Sequence, residues 1–353
     1  MAIRIYNDKI RFVADSDGDT DIDLLIESDG LRFTGTLTTA YNVPYGSAPP
    51  VLPQPPPAQG TVAGFTSGGY GVSVRANRID KFPFSITTGF ATDLGDLSEV
   101  KSGVAGQSSR IDGFASGGQP QSPPYSIYLS TIDKFPFSIT TGTATDVGDL
   151  STPKINPSGQ SSSTDGFSSG GYGSSFLSTI DKFPFSITTG TATDVGDLSQ
   201  ARPAAAGQSS STDGFASGGF APPYVSTIDK FPFTISSGTA TDVGDLSTAR
   251  QGGAGQSSST DGFTAGGGSP HVNTIDKFPF SITTGTATDV GDLTFVRSFS
   301  AGQSSTTDGF ASGGETPTRQ SRIDKFPFTI SGGTSTDVGD LIQARSLAAS
   351  HQD

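Results

Sequence analysis

Residues 206–246 read AGQSSSTDGFASGGFAPPYVSTIDKFPFTISSGTATDVGDL, one copy of a unit that the chain writes six times. Its most constant words, Ile-Asp-Lys-Phe-Pro-Phe, begin at Ile79, Ile132, Ile180, Ile228, Ile275 and Ile323, with spacings of 53, 48, 48, 47 and 48 residues. A fixed period of this size marks stacked supersecondary units. Inside the unit, four short β-like runs are split by Gly, Ser, Thr and Asp turns. Four strands per repeat predict a propeller blade. No stretch of the repeats has 3.6-residue apolar periodicity, which excludes a helical solenoid.

The four runs are labelled a to d. Strand a is AGQSS (Ala206–Ser210), whose small residues suit the crowded inner edge of a blade. Strand b is DGFASGG (Asp213–Gly219), where paired glycines allow close backbone approach or positive φ at the exit. Strand c is TIDKFPFSI in Thr131–Ile139, with Phe135, Phe137 and Ile139 on one face and Ile132, Lys134 and Pro136 on the other. The Phe face is expected to pack between blades. Proline cannot donate to a ladder, so a bulge or an early end of pairing is expected there. Strand d is ATDVGDL (Ala192–Leu198), the expected outer edge, whose aspartates and glycine discourage edge-to-edge aggregation.

The first repeat starts at strand b (Ala63–Gly69) with no good strand a before it, while the tail Ala344–His351 aligns with Ala201–Gln208, the entry to a strand a. The C-terminal strand is therefore expected to complete the first blade. The predicted fold is all-β: a six-bladed β-propeller with four strands per blade, closed by the C-terminal strand.

Composition agrees with a folded repeat core. Of 25 Phe, 18 fall in the FPF and GF words, so apolar content is concentrated where the period puts it. The absence of Cys removes disulfides and thiolate zinc sites. A net charge of −13 argues against nucleic acid, which demands a basic footprint. The N-terminus has no uninterrupted apolar core or small-residue cleavage site, so no signal peptide is expected. No run of about 18 apolar residues occurs, so no membrane insertion is expected.

Three regions are expected. Residues 1–46 form a small β anchor or oligomerisation element, since Ile3–Val13 and Asp21–Leu37 alternate apolar and polar residues. Residues 47–62 are a Pro-rich, semi-rigid linker. Residues 63–353 are the propeller.

The order of double-glycine strand, variable loop, two strands, Arg and small-residue strand resembles a kelch-type propeller from Ala63 to Asp353. The chain departs from kelch at strand d, where Ala or Thr replaces the expected Trp, and at strand c, where Phe replaces Tyr. The IDKFPF and TDVGDL wording is similar to repeat proteins of bacteriophages of aquatic bacteria. IESDGLRFTGTL (residues 26–37) resembles hairpins at the virion-anchoring ends of phage fibre and adaptor proteins. These resemblances imply a virion protein, a tail fibre or appendage assembled in the host cytoplasm. Its expected partners are other virion proteins through the N-terminal element, further copies of itself (as a trimer, by analogy with fibres) and a host-surface glycan or protein. A decoration protein without receptor role and a cellular kelch-type scaffold are the alternatives.

Candidate chemistry is sparse. Asp15, Asp17, Asp19 and Asp21 alternate as in calcium loops, but no register supplies the Gly and Glu of an EF-hand, and a solvated turn explains them as well. The D-x-G-D of strand d reads more simply as an edge turn than as a metal site. A basic residue stands four positions after each strand-d Leu: Lys101, Lys154, Arg202, Arg250, Arg297 and Arg345. It reads as a structural contact at the start of strand a, with a cationic ring for an anionic ligand as the rival. Ser-x-x-Asp-Gly-Phe differs in spacing from the sialidase Asp-box, and only His271 and His351 exist to serve copper in an oxidase propeller. Near-identical blades also speak against catalysis, which requires unlike groups converging on one point. No enzyme and no cofactor are expected.

The a–b and c–d turns barely vary, whereas the b–c and d–a loops vary widely. In an antiparallel blade these two sets emerge on opposite faces, so the diversity falls on one face. Five of the eight Tyr lie in its b–c loops: Tyr70, Tyr125, Tyr128, Tyr172 and Tyr224. With Phe176 and His271 they are the candidate ligand-binding residues, since function commonly sits on loops held by a rigid scaffold. Unconstrained drift of loop sequence is the bland alternative.

Overall fold

The computed structural model describes residues 2–6, 9–13, 22–27, 30–33, 59–121, 127–268 and 270–353. The chain divides into two compact units, Met1–Gln54 and Pro55–Asp353. In the first, strands Ala2–Tyr6, Lys9–Val13, Ile22–Glu27 and Gly30–Phe33 form an antiparallel meander in chain order. Asp15, Asp17, Asp19 and Asp21 lie outside the described residues.

The second unit is a six-bladed β-propeller. Blade 1 joins both chain ends, with strand a Ala349–Gln352, b Ala63–Ser67, c Arg78–Pro83 and d Thr92–Asp96. His351 pairs with Phe65 as Gln208 pairs with Phe215, which is the register the tail alignment predicts. Blades 2 to 6 are continuous, and their strands a begin at Ala105, Ser158, Ala206, Ala254 and Ala301. Residues 59–62, placed in the linker by composition, belong to the propeller. Gly60 donates to the Ser304 carbonyl (2.8 Å), and Thr61 and Val62 donate to that of Asp353.

Each residue of the constant motif has a packing task. Ile132, Phe135 and Phe137 are buried, and the two rings meet Phe65 of blade 1 at 6.1 and 4.8 Å between centroids. The same cluster recurs at every joint, including Phe310 against Phe82 and Phe84 across the seam from blade 6 to blade 1. Lys134 covers the Phe114 ring and pairs with Asp112 at 3.1 Å. Strand c ends at Pro136, so pairing stops there as the missing N–H requires. The bulge lies elsewhere, between strands c and d: Asp80 faces Asp93 and Ile79 faces Gly95, so Leu94 is the extra residue. Its counterparts Val147, Val195, Val243, Val290 and Val338 are thereby turned into the core.

The outer edge does more than resist aggregation. Asp96 donates its amide to Gly142 and accepts that of Ala144 in the next blade (2.9 and 2.7 Å), and this exchange repeats through to Asp340 with Gly89 and Ala91. The end of each strand d is thus paired with the next blade around the whole rim, which shortens the free outer edge. At the inner edge, a Cβ on Gly159 would overlap the Gly106 carbonyl oxygen. The strand-a glycine is therefore fixed by the close approach of neighbouring blades.

A third belt surrounds the axis two residues before strand a. Gly103 donates to Leu347, Asn156 to Gly103, Ala204 to Asn156, Gly252 to Ala204, Phe299 to Gly252 and Leu347 to Phe299, at 2.6–3.0 Å. This is a closed circuit of six backbone hydrogen bonds. All six residues have positive φ, and four of them, Asn156, Ala204, Phe299 and Leu347, are not glycine. That conformation costs each non-glycine roughly 1–2 kcal/mol and persists because the circuit over-determines it.

Candidate functional site

The six basic residues are interior. Lys101, Lys154, Arg202, Arg250, Arg297 and Arg345 are all buried, and each meets the strand-c aspartate of the blade it enters: Asp133, Asp181, Asp229, Asp276, Asp324 and Asp80, at 3.0–3.2 Å. Ser98, Ser199, Ser247 and Thr294 add a backbone N–H and a hydroxyl to Asp133, Asp229, Asp276 and Asp324. Asp80, which has Ile342 where these residues stand, and Asp181, which has Ser151 there, receive no such hydroxyl. Burial pushes the Asp80 carboxyl above the usual carboxylate range, against the pull of Arg345. These cations are matched to carboxylates inside the blades and present no guanidinium ring to a ligand.

The D-x-G-D acids also have structural partners. Asp146 accepts the Gly148 amide, and Asp149 accepts the Ser130 hydroxyl at 2.6 Å. Among the described residues, no three His, Asp or Glu side chains gather as a metal site would require.

The loop face is different in kind. After each double glycine, one residue is held by backbone hydrogen bonds to the preceding d–a segment. Gly218 and Gly219, with φ of 67° and 120°, turn the chain there. The residue so held is Tyr70 in blade 1, bonded to Ser346, and Tyr172 in blade 3, bonded to Ile155. In blades 2, 4, 5 and 6 it is Gln119, Phe220, Gly268 and Glu315. Six equivalent, fixed backbone positions thus carry almost six different side chains.

Several predicted residues come together here. Tyr128, Tyr172, Phe176, Phe220 and Tyr224 form an unbroken chain of ring contacts across blades 2 to 4, with centroid steps of 5.7, 5.5, 5.6 and 5.1 Å. All five rings are half-buried. Phe220 was missed by sequence reasoning, although its place directly after a double glycine matches that of Tyr172. Tyr70 is apart from the arc, with the guanidinium of Arg319 4.0 Å and that of Arg75 5.4 Å from its ring centre. Arg75 is tied to Ser102 and Gln119, and Arg319 lies 3.8 Å from Glu315. His271 contacts the Ser298 hydroxyl through Nδ1 at 3.1 Å. Tyr125 lies outside the described residues.

The mouth of the shaft opens on the same side. A cavity of about 110 Å³ is lined by the axial circuit, including Asn156, Phe299 and Leu347.

Fold and site together define the class: a six-bladed β-propeller with a uniform interior and one diversified loop face. No protein-family model matches the chain, and no curated protein matches its sequence significantly. The kelch and phage resemblances therefore rest on motif order and wording alone.

Proposed function

We propose that this chain is a non-catalytic virion protein, an appendage or tail-fibre component that uses the loop face of its propeller to recognise the host surface. Residues 1–46 attach it to other virion proteins and associate as a trimer. The observation that carries the reading is the contrast at the six held positions. The backbone is the same, whereas the side chains are Tyr, Gln, Tyr, Phe, Gly and Glu. A rigid framework presenting unlike side chains at equivalent sites is suited to recognition, because the ordering cost of binding is met by the fold. The non-catalytic part rests on the acids and bases of the repeats, which are engaged in buried pairs and turns.

Two measurements test it. Gold-labelled antibody against the full chain is expected to decorate particles from a lysate that produces it, and added full-length protein is expected to slow particle adsorption to host cells. Absence from purified particles, with recovery in a complex of cellular proteins, would replace the reading with that of an intracellular scaffold.

A further inference from the structure

The loop face is divided by charge. The loops carrying the aromatic arc, residues 127–130, 172–178 and 220–226, contain no Asp, Glu, Lys or Arg, in a chain of net charge −13. The strand-d carboxylates Asp149, Asp197 and Asp245 are bound to Ser130, Ser178 and Ser226 at the loop ends, and Glu99 of the adjoining d–a segment is held by Thr131. The neighbouring loops of blades 6 and 1 hold Glu315, Arg319, Arg322, Arg75 and Arg78, and Arg75 reaches the start of the blade 2 loop at Gln119 and Gln121. One half of the face therefore suits a charged group, and the other excludes one, since a buried unpaired charge is costly.

We propose that the arc from Tyr128 to Tyr224 is a binding strip for a neutral polysaccharide. The proposal rests on reading the loop face as the recognition surface and names its ligand class. Each ring is oriented by an edge-on or tilted neighbour, with interplanar angles of 81°, 61°, 89° and 50°. The rings are thus ordered before any ligand arrives, which lowers the entropic cost of binding. Successive steps of 5.1–5.7 Å are comparable with the length of one pyranose unit. A pyranose has C–H groups on its faces and hydroxyls around its edge. The arc offers the complement: aromatic surface, the hydroxyls of Tyr128, Tyr172 and Tyr224, and the exposed Ser174 and Ser175. An apolar peptide would leave these hydroxyls unpaired on binding, and an acidic glycan would find no cation in the strip.

The test uses full-length protein on immobilised neutral glucans, mannans and galactans beside sulfated and uronate-rich polysaccharides. Binding to at least one neutral polymer is expected. It should be insensitive to salt, because no charge pair is formed. The triple variant Tyr172→Ser, Phe220→Ser, Tyr224→Ser should weaken it at least tenfold, and Arg319→Gln should leave it unchanged. Because the chain has no Trp and three of its eight Tyr, Tyr128, Tyr172 and Tyr224, lie in the arc, tyrosine emission of the unmodified protein includes the arc's signal, and a change on titration with the bound polymer is expected. Unchanged emission overturns the proposal even if the triple variant fails to fold. Binding confined to charged polymers and lost in Arg319→Gln, or competition by apolar peptides alone, also overturns it. If no polysaccharide binds while the triple variant still fails to adsorb to cells, the ligand class is wrong and the loop-face reading stands. If that variant adsorbs normally, the strip is not used, and normal adsorption after changes to Tyr70 and Arg319 as well defeats the loop-face reading.

Discussion

In the five blades made from one run of chain, strand a carries Gly-Gln. In the blade made from both chain ends it carries Ser350-His351. The five glutamines, Gln107, Gln160, Gln208, Gln256 and Gln303, each donate from Nε2 to a strand-b Phe carbonyl in the next blade at 2.9–3.1 Å. His351 instead contacts the Gln107 carbonyl through Nδ1 at 3.2 Å and Ser67 Oγ through Nε2 at 2.8 Å, with its ring edge-on to Phe135. A carbonyl only accepts, so Nδ1 carries the proton and Nε2 accepts from Ser67. Ser350 places a side chain where the other blades allow none. The closing joint keeps the aromatic stack and the rim belt of the others, but its polar contacts are individual. Uniform joints repeat one solution five times. The closing joint shows which contacts the ring can replace.

Removing the joint has the largest expected effect. Deleting residues 344–353 takes away strand a of blade 1, the partner of Asp80 and one member of the axial circuit. Thermal unfolding followed by circular dichroism should lose its cooperative transition, and gel filtration should show aggregates, since strand b becomes a bare edge. An unchanged melting curve would mean that the other joints hold the ring without closure.

Next in size is the pH dependence of His351. Burial lowers its pKa from 6.5 to about 4, against the raising effect of the Gln107 carbonyl. The folded state therefore binds fewer protons than the unfolded chain between these values. Its contribution is present above pH 6.5 and is lost as pH falls toward 4. Each pH unit between the two values is worth ~1.4 kcal/mol, so the loss is about 3 kcal/mol. Asp80 acts with the opposite sign: its raised pKa favours the neutral form, so acidification relieves its cost. His351→Gln, which installs the residue of the other blades, should flatten the denaturant midpoint between pH 6.5 and 4. A midpoint that falls equally in both proteins would assign the acid sensitivity elsewhere.

Ile342→Ser sharpens the comparison at the ion pair. Ile342 is 41% exposed, so little apolar burial is lost. A hydroxyl bonded to the Asp80 carboxylate should raise stability at pH 7 by about 1–2 kcal/mol, read as a higher denaturant midpoint. No gain would show that the Asp80 site is already satisfied by its backbone and Arg345.

The smallest effect concerns the axial circuit common to all blades. Ala204, at φ 59°, gains from substitution by glycine. Relief of left-handed strain, less the entropy that glycine brings to the unfolded chain, should leave about 0.5 kcal/mol of stabilisation in Ala204→Gly. A loss of stability would mean that the Ala204 methyl packs more strongly than its backbone is strained.

Much of the molecule was legible because its information is local. The alternation of Phe135 and Phe137 against Ile132 and Lys134 follows from the two-residue period of a strand, and the 48-residue spacing multiplies it into blades. The tail alignment even gave the register of His351 on Phe65. The reading of strand d reaches only part of the way. Its position as the outermost strand was readable, but the belt joining Asp96 to Gly142 pairs residues of different blades.

The sequence alone thus determined the class of fold, the number of blades, the closure and the face on which diversity lies, because each follows from spacing and alternation within one repeat. The tertiary structure alone decided the pairing of each Arg or Lys with the next blade's aspartate. It also decided the positive φ of residues as unlike as Asn156, Phe299 and Leu347, and the joining of Phe220 to Tyr172, Phe176 and Tyr224 in one arc. Those features join residues that tertiary packing, rather than any spacing within the repeat, makes neighbours, so no local pattern encodes them.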